Sequence, residues 1–430
     1  MHKQLLKSLL WVLIMIYSVA TYAAETGHFV GVASCASGNC HGKLVAESRT
    51  NIQANEYRIW AVESRHARAF DTLLSPKSKQ IVAALGLPSA QTAKLCLGCH
   101  STPAPMELRT AGYSQSDGVS CEACHGAASG WLDRHRKIDN HHRDNLAAGM
   151  VALEDPLVRA RRCVSCHVGD RERFADHDLM SAGHPRLIFE LDAYSTNQPS
   201  HHTEDADYYS RKFQSDETLV NRLWLFGQLS AAQGYLETLS EQRFSANDNN
   251  IWPELALFDC HACHHPMQSK GRLPSSGILP GTLRLRDQHL QMLSSASRVL
   301  SPNLSSIFNQ EISKLHNSIS SGTGQRQAID ALSNQLEALA NHWHNLPIDH
   351  AMLKAIRSQI TKRVAARRIL DFGDAAQAYL AIDSLSIRIG DRVRLEPQLK
   401  RLFEQVADDE PFNAESFLQA TQELRSMLHD

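Results

Sequence analysis

The sequence is poor in most features that assign a 430-residue chain to a class at sight. Aromatic residues make up only 7%, so a conventional aromatic-rich core does not run through the whole length. Neither sign of charge dominates. Forty-four basic against 46 acidic residues exclude both a strongly basic nucleic-acid binder and an acidic disordered chain. No apolar run beyond residue 24 is long enough to cross a bilayer. Cysteine is missing after Cys263, no Cys stands outside a local pair, and Cys-x-x-Cys-Lys does not occur. What is plentiful is histidine, 23 of 430 residues. A length of this size predicts two or more domains.

Residues 1–23 read as a secretory signal peptide. Lys3 and Lys7 precede the uncharged run Ser8–Ala20, and small residues allow cleavage after Ala23 or Ala20. The competing reading is a retained anchor, at the short edge of the spanning range. Export predicts a periplasmic protein, where ten Cys would by default form disulfides. Their spacing points elsewhere.

All ten Cys form five pairs, each followed at once by His. Four are Cys96-Leu-Gly-Cys99-His100, Cys121-Glu-Ala-Cys124-His125, Cys163-Val-Ser-Cys166-His167 and Cys260-His-Ala-Cys263-His264; the first, Cys35-Ala-Ser-Gly-Asn-Cys40-His41, is longer. Cys-x-x-Cys-His is the attachment pattern of c-type haem: two thiols add across the two vinyl groups, and the next residue offers its imidazole to the iron. Structural zinc does not require His after each second Cys, a thioredoxin-like site uses a single pair near a βαβ pattern, and a disulfide framework would not confine every Cys locally. The expected cofactors are therefore five c-type haems, with His41, His100, His125, His167 and His264 as proximal ligands.

The distal ligand of each iron decides its chemistry. A second His suits low-potential electron transfer, Met raises the potential, and an open position permits catalysis. Candidates are His66 in a helical context, His184 in Ala-Gly-His-Pro-Arg, and His135 ten residues after the third motif. His142, His201 and His265 follow, with His28, His141, His177 and His202; His265 could serve only another haem than that of His264. Met106, Met180 and Met267 are weaker alternatives. Arg109, Arg134, Arg136, Arg161, Arg162 and Arg186 are placed to neutralise propionates.

The predicted fold is mainly α, a multihaem domain with little sheet followed by a C-terminal helical bundle. The boundaries are 24–269 for the haem-bearing part, 270–282 for a Pro/Gly/Ser-rich linker and 283–430 for the bundle, of about six or seven helices. In the haem-bearing part, haems supply most of the apolar filling, and an amphipathic helix runs from about Asp216 to Leu239. In the bundle, the third apolar stripe ends at Gly373 with Asp374 capping the next helix, and the basic run Lys362–Arg368 reads as a solvated face. The remaining histidines, among them His289 and His316, read as ordinary bundle residues.

Several stretches resemble the multihaem cytochrome c-554-like family, related to the electron acceptor of hydroxylamine oxidation in ammonia-oxidising bacteria. They are Gly31 to Gly42, Trp60 to His66, Gly118 to Gly126, Ala182 to Glu190, and Trp252-Pro-Glu254 leading into Phe258 to His265. The resemblance implies distal roles for His66 and His184 and closely spaced parallel and perpendicular haem pairs. The best-known member binds four haems where this chain has five motifs, and the C-terminal bundle lies outside the resemblance.

These readings favour a periplasmic multihaem cytochrome that passes electrons between donor and acceptor proteins, with no nucleic-acid partner and peripheral membrane association allowed. The alternative is an oxidoreductase with one open-coordinate haem acting on a small nitrogen or sulfur compound. A structural or sensory haem module is a third class. Ten propionates would make the mature holoprotein acidic, with a net charge of about −9.

Overall fold

The computed structural model describes residues 27–45, 53–137, 139–201, 217–244, 254–260, 264, 284–366, 371–408 and 412–428. Among them the fold is mainly α, as the periodicities predict, with two isolated β-bridges, Phe29 to Arg109 and Phe258 to Leu285. No helix among these residues is long and apolar enough to cross a membrane. The segments predicted as signal peptide, 1–23, and linker, 270–282, lie outside the described residues.

The N-terminal half is built from short helices: α1 (Glu56–Glu63), α2 (Pro76–Ala84), α3 (Lys94–His100), α4 (Cys121–His125), α5 (Leu132–His135), α6 (His142–Ala147), α7 (Pro156–His167), α8 (His177–Ser181) and α9 (Leu191–Asn197). Several begin on side-chain caps. Asp155 accepts from the backbone N–H of Leu157 and Val158 with Pro156 at the first helical position, Asp176 accepts from Leu179, and Glu190 from Asp192 and Ala193. The apolar cores of residues 27–137 are small: Phe29 with Ala104 and Ala127, and Leu73 with Val82 and Ala90.

The second half contains α10 (Glu217–Phe244), then α11 (Gln288–Leu300), α12 (Pro302–Ser321), α13 (Gln325–His344), α14 (His350–Ala365), α15 (Phe372–Ile389), α16 (Arg392–Glu404) and α17 (Ala414–Leu428). One apolar core runs from Ala160 and Val164 on α7, through α10, to Leu424 on α17. Helix α10 is its axis. The expected apolar stripe is instead burial all round: Leu223, Trp224, Leu225, Phe226, Leu229, Ala232 and Leu236 are each at most 5% exposed. Polar residues on α10 are absorbed by partners elsewhere in the chain; Asn221 donates to the carbonyl of Ile348, between α13 and α14, and Gln228 Nε2 to Gln377 Oε1.

Two expectations about the bundle are corrected. Helix α14 ends at Ala365, and Asp371 rather than Asp374 caps α15, accepting from the Asp374 N–H at 2.8 Å, with Gly373 inside the helix. Arg363 is not on a solvated face. It is buried and donates to Asp374 Oδ2 at 3.0 Å, because Asp374 is itself fully buried and needs cations; Arg284 donates to the same oxygen at 2.9 Å.

Candidate haem sites

A helical Cys-x-x-Cys-His places first Cys, second Cys and His at i, i+3 and i+4, which share one helix face. Helices α3, α4 and α7 each end on the His of such a motif. In α7 Cys163 and His167 share a face with Ala160 and Val164; the latter two enter the core and Cys163, half-buried, packs against it. The first motif has two extra residues, and on a helix its two Cys would diverge. It folds instead as a tight turn, with Cys40 N–H donating to Ser37 O at 2.9 Å and His41 N–H to Cys35 O at 3.2 Å. Gly42 closes the turn where a Cβ would stand 1.9 Å from Ala36 O. Nine of the ten Cys are free thiols; Cys263 lies outside the described residues. The disulfide reading thus finds no bond among them.

Motifs remote in sequence are adjacent in space. The Cys35 and Cys121 side chains are close enough to act on each other's ionisation, as are those of Cys99 and Cys166, and Cys166 Sγ lies 3.8 Å from Gly98 O. Cys124 is in electrostatic contact with Cys163 and Cys166. The first motif therefore neighbours the third, the third the fourth, and the fourth the second.

Four motif histidines each face an imidazole from a distant segment. Ring centroids are 6.2 Å apart for His41 and His135, 6.0 Å for His66 and His167, 6.4 Å for His100 and His184, and 6.4 Å for His177 and His264. A ligating imidazole nitrogen stands about 2 Å from a first-row metal and about 1.1 Å from its ring centroid, so two rings across one metal have centroids about 6.2 Å apart. The residues present fit axial pairs. The far nitrogens are engaged as metal-bound histidines require: Nδ1 of His41 with Glu56 Oε2 (2.9 Å), of His100 with Ala69 O (3.1 Å), of His135 with Leu132 O (2.6 Å) and of His184 with Pro185 O (2.8 Å). An Nδ1–H donated in this way leaves the Nε2 lone pair free. Phe189 stacks on His167 at 4.5 Å.

The sequence named His66, His184 and His135 on local context, and all three stand opposite a motif His. His177 was not separated from the weaker candidates. Its signal is the N-cap Asp176 before it, together with Glu254, whose Oε1 accepts the His177 N–H at 2.9 Å. The same carboxylate oxygen accepts the Ala256 N–H at 2.9 Å, which ties His177 to the segment leading into the fifth motif. His142 gives Nε2 to Glu154 at 2.8 Å, His141 caps α6, and His201 is half-buried at the end of a described segment. His202 and His265 lie outside the described residues. His125 ends α4, its carbonyl accepting from Val151 N–H at 3.0 Å.

Glu122, inside the third motif, is 2% exposed and accepts from Val30, Gly31 and Ala128 N–H at 2.8–2.9 Å. It draws the strand-like entry to the first motif against the third. Arg109 and Arg136 are spent on protein groups, on Ala104 O and on Asp133.

Residues 34–126, which contain the first three motifs, match the family model described as cytochrome c554 and c-prime. Over that stretch the chain is similar to this family, which supports a c-type cytochrome carrying electrons on covalently bound haem. No curated protein and no solved structure matches the chain.

Proposed function

We propose that this cytochrome binds five haems and conducts electrons in the periplasm between a donor and an acceptor protein. The observation that carries the reading is the facing of a motif imidazole by a second imidazole, at 6.0–6.4 Å, in four separate pairs. Bound haem supplies a one-electron ferric–ferrous couple, which two imidazole ligands keep at low potential.

The chain's own residues then have distinct tasks. Cys35, Cys40, Cys96, Cys99, Cys121, Cys124, Cys163, Cys166, Cys260 and Cys263 anchor, and His41, His100, His125, His167 and His264 ligate from the proximal side. His135, His184, His66 and His177 ligate opposite His41, His100, His167 and His264. Glu56 and the carbonyls of Ala69, Leu132 and Pro185 hold the rings in orientation. Neighbouring thiols from different motifs bring the anchoring points close, which keeps electron steps short. The signal-peptide pattern of residues 1–23 supports export. Partners would meet the protein transiently, through interfaces at the small end of the size range.

Electron paramagnetic resonance of the oxidised holoprotein, with the mass of the intact chain, tests the reading. Five haems are expected, with low-spin ferric signals from the four whose motif histidine faces a second imidazole. A high-spin ferric signal that shifts with hydroxylamine or nitrite would overturn the carrier reading in favour of an open-coordinate, catalytic haem.

A further inference from the structure

Two arginines meet in a small cavity between the haem-bearing half and the bundle. Val168, Arg186, Ile188, Phe189, Arg286 and Gln288 are among its lining, which has room for little more than one water-sized group. Arg286 is 8% exposed, yet its Nε has no hydrogen-bond partner; Arg186 Nη1 and Nη2 are buried and equally unsatisfied. The Arg186 guanidinium instead lies over the Phe372 ring, 5.6 Å from its centroid, and a Cβ on Gly373 would come within 3.0 Å of Nη2. Burial, then the like charge of Arg186, pushes Arg286 below the ordinary arginine range; Asp371 and the Cys260 thiol act the other way.

Two cations buried side by side, with donors left open, are costly unless an anion completes the site. The nearby acids are already engaged: Asp371 by the Asp374 N–H and Arg284, and Asp374 by Arg284 and Arg363. The missing anion must be narrow, since the cavity is. A carboxylate on a short flexible arm meets that condition. Such arms belong to any haem attached nearby. Val168 directly follows the motif residue His167, Phe189 stacks on that ring, and Cys260 is in electrostatic contact with Arg286.

We propose that Arg186 and Arg286 clamp a propionate of a haem anchored at Cys163–Cys166 or at Cys260, so that the C-terminal half completes a haem pocket. The inference rests on the multihaem reading above. It gives the bundle a role in tuning a cofactor, since Arg286 leads directly into α11.

Spectroelectrochemical titration of holoprotein carrying Arg286→Gln, Arg286→Lys or Arg186→Gln tests it. Losing a buried cation beside an ionised propionate favours the ferric state. One haem in the Gln variants is therefore expected to fall in midpoint potential, with a tenfold shift in its ferric–ferrous ratio corresponding to about 59 mV. Arg286→Lys, which keeps the charge, should hold the potential near that of the unsubstituted protein, and nitrate or phosphate added to the unsubstituted protein should move nothing. Full haem loading with every potential unchanged in Arg186→Gln or Arg286→Gln overturns the clamp alone. So does a wild-type potential that follows added free anion, which would make the occupant exogenous. Intact mass and peptide mapping that find no haem at Cys163–Cys166 or Cys260 overturn the multihaem reading and the clamp together. If Arg286→Gln does not fold, Arg186→Gln and Gly373→Ala, which presses on the Arg186 guanidinium, carry the same test.

Discussion

Glu122 concentrates on one carboxylate the hydrogen bonds that join the first haem motif to the third. Glu122→Ala leaves the N–H groups of Val30, Gly31 and Ala128 without their acceptor. The expected loss is about 3 kcal/mol, since each buried unsatisfied group costs about 1–3 kcal/mol and water recovers part of it. Chemical denaturation with an unchanged m-value checks this. His177→Met is expected to raise the potential of one haem and leave the others in place, as a thioether in place of imidazole does; stepwise redox titration reads it. Attachment thiols and motif histidines were legible because covalent chemistry fixes them in a local spacing. His177 was not, because what singles it out is a ring and a glutamate brought together only by the fold.

At the scale of helices, legibility depended on whether polar residues lay on the surface. Helices α12 and α13 are legible because their apolar residues gather on one buried face, whereas α10 carries Asn221, Arg222 and Gln228 into the interior, where other segments satisfy them. Helix α10 also approaches the loop after α7 at Gly234, where a Cβ would lie 2.8 Å from Gly169 O. Gly234→Val should therefore force the helices apart and lower thermal stability by about 2 kcal/mol or more, within the range for overpacking. The basic run misled for a related reason: Arg363 is paired inside with Asp374. Asp374→Ala, which strands Arg284 and Arg363, is expected to cost about 3–5 kcal/mol in denaturant melts. Asp287 belongs to the same cluster. Burial alone would raise its carboxyl, but Arg284 and His316 outweigh burial and hold it well below the usual carboxylate range. A depressed carboxylate stabilises the fold above its unfolded value of about 4 and loses that contribution as pH falls toward the folded value. Acid unfolding should accordingly begin below about pH 4, and Asp287→Asn should flatten that limb of the stability–pH curve.

For the whole molecule, the continuous core from Ala160 to Leu424 makes the two halves interdependent. A chain ended at residue 283 would expose Leu223, Trp224, Phe226, Leu229 and Leu236, which are at most 5% exposed in the full protein. It is expected to keep helical circular dichroism while binding hydrophobic dyes and losing cooperative melting. The composition did signal a change of character after residue 270, because Cys and most His stop there. It could not show where the apolar surfaces meet, since burial is a property of contacts.

That shared core also has a consequence for the order of events during biosynthesis. The chain emerges from its N-terminus, and the apolar faces of α7 and α10 have nothing to close against until residues 285–424 have followed. Until then the surface that carries Val164, Leu229 and Leu236 stays open to water, so folding of this part waits on the last helices to be made.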